Sequence, residues 1–197
     1  MIKTINLFPI IDKSLMKLIS EMEQADWNRK TNFPNWKVKD IIVHLLDISI
    51  RKLSSQRDQY IYQNNVSINS HQELISHITM LADQWTNAFQ NVSPAIISEL
   101  VDKYQKEYIK YIKVLKPFSI SQYSVAWAGE KTSFNWFDIA REYTERWHHQ
   151  MQIREALNKP LLLSKRIYLP VLETFMQALP FHYSKIQNSN YYLVIKV

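Results

Sequence analysis

One glycine in 197 residues, Gly129, constrains this chain more than any other feature of its sequence. Tight hairpins, bulges and close backbone approaches draw on glycine, which alone enters positive φ without cost. A sheet-rich fold is therefore disfavoured and long helices are expected. No G-x-G-x-x-G or G-x-x-x-x-G-K loop can be written, which excludes the glycine-rich phosphate cradles. Cysteine is absent altogether, so disulfides, thiolate zinc sites and cysteine nucleophiles are excluded. Any metal must rest on His, Asp and Glu.

Apolar periodicity reads as an all-α chain. Helices are expected over about 9–26, 38–59, 71–90, 94–116, 134–157 and 167–179. Ser93-Pro94 supplies an N-cap followed by proline at the first helical position. Pro34, Pro117 and Asn158-Lys159-Pro160 break the chain between helices. The tail NYYLVIKV alternates like a strand. One strand cannot satisfy its own backbone, so it is read as pairing with a partner chain or as opening a further α/β domain. This divides the chain into a helical bundle over 1–160 and a C-terminal extension over 161–197.

The leading MIKTINLFPIIDKS is too short and broken for a secretory signal. No window is apolar enough to span a bilayer, so a cytoplasmic protein with no membrane partner is expected. The net charge of +6 draws on Lys103, Lys106, Lys110 and Lys113, which share a helical face. A solvated lysine stripe is the ordinary meaning of such a face. Nucleic acid binding would need more than this.

The segment REYTERWHHQMQIREAL places His148 and His149 three and four residues after Glu145. At ~100° per residue from Phe137, the side chains of Ile139, Tyr143, Trp147, Ile153 and Leu157 fill a sector of roughly 160–280°. Glu142, Glu145 and His149 form a stripe at the edge of that sector. His148 falls among Arg141, Gln152 and Glu155, a solvated neighbourhood. The i, i+4 pair Glu145–His149 can meet one cation or form a plain helix-surface ion pair. His148 is expected at the surface.

His44 lies in DIIVHLLDISI, a helix apolar almost all round, and shares its side with Ile41, Leu45 and Ile48. A buried imidazole needs a partner, because leaving one unsatisfied costs about 1–3 kcal/mol. Asp40 and Asp47 flank it, and either could orient the ring behind a metal. The other reading is a core histidine bonded to an aspartate or a carbonyl. His71, His77 and His182 have no partner at ligand spacing and are read as structural or surface residues.

NWKVKDIIVHLLD and REYTERWHHQMQIREALNKP together resemble the two signatures of the DinB-like superfamily. The resemblance is to the branch containing the N-terminal domain of mycothiol-dependent maleylpyruvate isomerase. It covers about residues 8–160 and aligns Glu145 and His149 with the family's Glu-x-x-x-His pair. Gln152 stands where the family often has aspartate, and Asn158 where it often has glycine. The resemblance implies a four-helix bundle with extra short helices and a short C-terminal α/β extension. It also implies a divalent metal, commonly zinc, held by His44, Glu145 and His149.

Such a site with a free fourth position has the form of a catalytic one. The implied activity is a metal-dependent transfer or isomerisation that activates a low-molecular-weight thiol or water for a small-molecule substrate. The thiol would be a cosubstrate. Trp127 and Trp136 are expected to line the pocket, and Arg154 or Arg141 to hold a substrate carboxylate. The competing expectation is a non-catalytic, metal-stabilised binding or interaction module, with a homodimer formed through apolar helix faces.

Overall fold

The computed structural model describes residues 1–60 and 70–184. The chain is all-α: among the described residues seven α-helices, α1 (Phe8–Ser20), α2 (Val38–Lys52), α3 (His71–Ala88), α4 (Pro94–Val114), α5 (Asn135–Ala156), α6 (Lys165–Met176) and α7 (Leu179–Ser184), form most of the regular structure. No β-strand forms among the described residues, which contain only two isolated bridges, Lys30 with Lys37 and Ile120 with Phe134. The strand-like tail lies outside the described residues. None of the described helices is long and apolar enough to cross a membrane.

Four helices share the core. Leu15, Leu18 and Ile19 of α1 meet Ile41, Ile42, Leu45 and Leu46 of α2, Ile97 and Val101 of α4, and Ile153 of α5. Apolarity around its whole circumference makes α2 the central helix, since such a helix can satisfy every face only by burial. Helix α3 covers one flank of α2, where the Trp85 indole N–H donates to the Val43 carbonyl at 3.2 Å. On the other side α6 packs against α5: Val171 is fully buried, and Tyr168 stacks on Trp147 with ring centres 5.2 Å apart.

Helix ends follow local chemistry. Ser93 accepts from the Ile96 N–H at 3.4 Å, with Pro94 starting α4. Past α5, Asn158 adopts φ 52°. The Asn158 and Lys159 amides return to the Glu155 and Arg154 carbonyls at 3.1 and 2.8 Å, a Schellman closure in which asparagine serves for glycine. Gly129 has φ +84°, and a Cβ there would collide with the Phe181 ring. The fold thus uses its one glycine where both backbone and packing demand it. Helix α1 ends at Ser20, short of the expected 26, because the chain turns into a 3-10 segment at Asp26–Asn28.

Two buried charge groups tie α5 to its neighbours. Arg146 is 1% exposed. Its guanidinium donates to Asp12 at 3.2 and 3.3 Å and to the Ser49 hydroxyl at 2.9 Å. It also lies over the rings of Tyr108 and Phe8, 4.8 and 5.4 Å from their centres. Nearer the start of α5, Lys52 reaches Asp138 at 2.9 Å and Glu142 at 3.4 Å. Ser121 donates to the same aspartate at 2.8 Å.

Candidate metal centre

His44 on α2 and His149 on α5 face each other across the bundle, ring centres 4.9 Å apart and planes at 83°. Both imidazoles lie on the floor of a cleft of about 760 Å³. Its walls come from the Phe33–Lys37 loop and from α3. His149 is buried, whereas its neighbour His148 is exposed. The helical twist thus separates the adjacent histidines as the wheel requires.

Each ring nitrogen of His149 has a distinct neighbour. Nδ1 lies 2.8 Å from Gln152 Oε1, and Nε2 lies 3.6 Å from Glu145 Oε2. The amide oxygen can only accept, so the Nδ1–H donates in this bond and Nε2 is the nitrogen turned toward Glu145. Gln152 therefore does what a carboxylate does behind a coordinated histidine. The sequence expectation put it in a solvated neighbourhood; it is 6% exposed, with its side chain bonded to the His149 ring.

Burial pushes His44 down to about 3, with His149 and Arg51 adding to the effect and Glu145 opposing it. The ring is therefore neutral, the form that coordinates metals. Its Nδ1 is buried without a hydrogen-bond partner. The aspartates expected to orient it do not. Asp40 accepts from the Lys37 amide at 2.9 Å and Gln90 at 3.0 Å, and Asp47 is taken by Arg51 at 2.5 Å. Asp40 closes the start of α2 and holds Gln90 beyond α3, while Asp47 pairs one turn along its own helix. Burial raises the Glu145 carboxyl, but the facing His149, Arg141 and His44 outweigh it and hold the group below the ordinary range.

These distances suit the donor set. Two ligands at ~2.0–2.1 Å on a tetrahedral ion are about 3.4 Å apart, and two such imidazoles have ring centres about 5 Å apart. The observed 3.6 and 4.9 Å fall close to both. Among the described residues, however, no group of three His, Asp or Glu side chains is arranged ready to hold an ion. What stands in place is two pairs that share His149. The side chain of Glu145 is 41% exposed.

The other expected site residues lie elsewhere. Trp136 stacks on Phe137 at 5.1 Å, and Trp127 packs between Phe137 and Phe175. Neither lines the cleft: Trp136 is 13 residues before His149, about 20 Å along the helix at 1.5 Å per residue. The aromatic wall is instead Phe33 and Trp36, with Trp36 5.1 Å from the His44 ring. Its sequence signal is proximity: Trp36 opens the same NWKVKDIIVHLLD stretch that carries His44.

Both arginines are committed internally, contrary to the expectation that one would hold a substrate carboxylate. Arg141 pairs with Asp138 at 2.5 Å and Glu142 at 2.6 Å. Arg154 donates to the Pro160 carbonyl at 2.9 Å and the Ser14 hydroxyl at 2.7 Å. Each guanidinium is turned to internal acceptors, with its remaining Nε buried rather than offered to the cleft. No family model, curated protein or solved structure matches the chain.

Proposed function

We propose that this chain is a metal-binding helical protein of DinB-like type in which His44, Glu145 and His149 hold one divalent ion, zinc being the natural choice for this donor set. The observation that carries the reading is the His149 ring, bonded through Nδ1 to Gln152, with Nε2 3.6 Å from Glu145 and the ring centre 4.9 Å from that of His44. Orienting a ring through one nitrogen to present the other is how proteins prepare a histidine ligand. The unpartnered Nδ1 of His44 supports the same reading, since a buried polar atom is seldom left without a use.

Bound there, such an ion would lower the pKa of a coordinated water or small thiol toward neutrality. The chain's own part is to keep the His44 imidazole neutral, hold Glu145 ionised and wall the site with Phe33 and Trp36. On this reading the protein is an enzyme of small-molecule transfer or isomerisation. A thiol enters only as cosubstrate, because the chain has no cysteine.

The second reading, a metal-stabilised small-molecule-binding module without catalysis, is favoured by the engagement of Arg141 and Arg154 with internal partners. Metal analysis of the purified protein tests the common premise. One equivalent is expected in the unmodified chain and in His148→Ala, and strong loss in His149→Ala and His44→Ala. Equal metal content in the His148 and His149 variants would overturn the ligand assignment. Turnover of a thiol-dependent substrate separates the enzyme from the module.

A further inference from the structure

The cleft above the histidines has a chemistry of its own. Phe33 and Trp36 line its mouth as one packed aromatic pair, ring centres 4.7 Å apart and planes at 50°. Across from them Asp83 of α3 accepts from the Trp36 indole N–H at 3.4 Å. That bond places a carboxylate against the edge of the same ring. Asp40 adds a second acid to the wall, and its oxygens take neutral donors, the Lys37 amide and Gln90. Against these two carboxylates the lining contains, among the described residues, one cationic side chain, Lys37. No arginine lines it, Arg141 and Arg154 being used within the fold.

Aromatic faces attract cations through their quadrupole, and a nearby carboxylate adds direct Coulomb attraction. A dicarboxylate would meet two like charges with no guanidinium to receive it. We infer that the cleft takes a small organic ammonium compound, its cation held at the Phe33–Trp36 mouth beside Asp83. Recognition at the mouth leaves the far end of the molecule directed toward His44 and His149. The inference rests on reading the cleft as a small-molecule site, but its recognition groups are not the metal ligands.

Isothermal titration of the full chain, with and without added zinc, against benzylamine, choline, phenylacetate and succinate tests it. The two ammonium compounds should bind at least ten-fold more tightly than the two carboxylates in the zinc-free protein, and the order should persist with zinc. Asp83→Asn and Trp36→Ala should each weaken ammonium binding five-fold or more while the far-ultraviolet spectrum is unchanged. Asp83 is exposed, so its variant keeps the test valid should the tryptophan variant lose structure. Carboxylates binding as well as ammonium compounds, no ammonium binding, or affinities indifferent to Asp83→Asn would overturn the inference. Metal content read on the same samples keeps a failure of the metal assignment distinct from a failure of this one.

Discussion

At the scale of single residues, the chemistry of the site depends on what stands behind each proposed ligand. His149 is oriented by Gln152, a neutral amide where a carboxylate is more usual in the resembled family. An amide oxygen fixes the tautomer but polarises the ring less than an anion does. Gln152→Leu should therefore weaken zinc binding about 10–100-fold in competition with a chromophoric chelator, and Gln152→Glu should retain or tighten it. Unchanged affinity in the leucine variant would remove Gln152 from the site. Arg146 is the opposite case, a charge serving structure. Its removal strands Asp12 in the core, so Arg146→Ala should cost about 3–5 kcal/mol in urea unfolding. Pairing it with Asp12→Leu should recover part of that loss. A sum of two independent penalties would show that the pair is not coupled.

At the scale of elements, α5 carries two unlike ends. Its N-terminal half is anchored by Asp138 and Glu142 to Lys52, and its C-terminal half presents His149 to the cleft, with Glu145 one turn before it. Burial raises the Asp138 carboxyl, yet Lys52 and Arg141 outweigh it and hold the group below the ordinary range. With the folded pKa depressed, the unfolded chain takes up the proton first as pH falls. The contribution of Asp138 is complete above about pH 4, the unfolded value, and is lost as pH drops through the lower folded one. Between pH 5 and 3 the urea midpoint should fall more steeply for the unmodified chain than for Asp138→Asn. Equal slopes would remove Asp138 from the acid sensitivity. The connection before α5 is equally exacting: Gly129→Ala should destabilise by at least about 1 kcal/mol, from its positive φ and the clash with Phe181.

For the whole molecule, the proposed ion would join α2 to α5, the two helices that also meet through Lys52 and Asp138. A ligand that binds only the folded state at 100 times its Kd adds about 2.7 kcal/mol. In a chain of this size that should raise the melting temperature by roughly 5–10 °C. Zinc should produce this shift in the unmodified protein, and His44→Ala should abolish it. A shift of equal size in His44→Ala would mean that the ion binds outside the bundle.

Some features followed from sequence because their causes are local. Six expected helices appear close to their expected places, since apolar period, Ser93-Pro94 and the prolines act within a few residues. The separation of His148 from His149 follows from helical twist alone. The asparagine closure after α5 is likewise a matter of one residue's tolerance for positive φ. Other features needed the third dimension, because a side chain's partner depends on which helices meet. On the wheel Arg146 falls within the apolar sector of α5, yet only the approach of α1 and α2 brings Asp12 and Ser49 to it. Arg141 and Arg154 look solvated in one dimension and prove to be bound. The cleft wall comes from Trp36 and α3, not from Trp127 and Trp136, because about 20 Å of helix separates the latter from His149. Composition and periodicity determined that this chain is helical and which histidine turns inward. Packing between helices decided what that histidine faces, because burial and charge pairing are set by neighbours far along the chain.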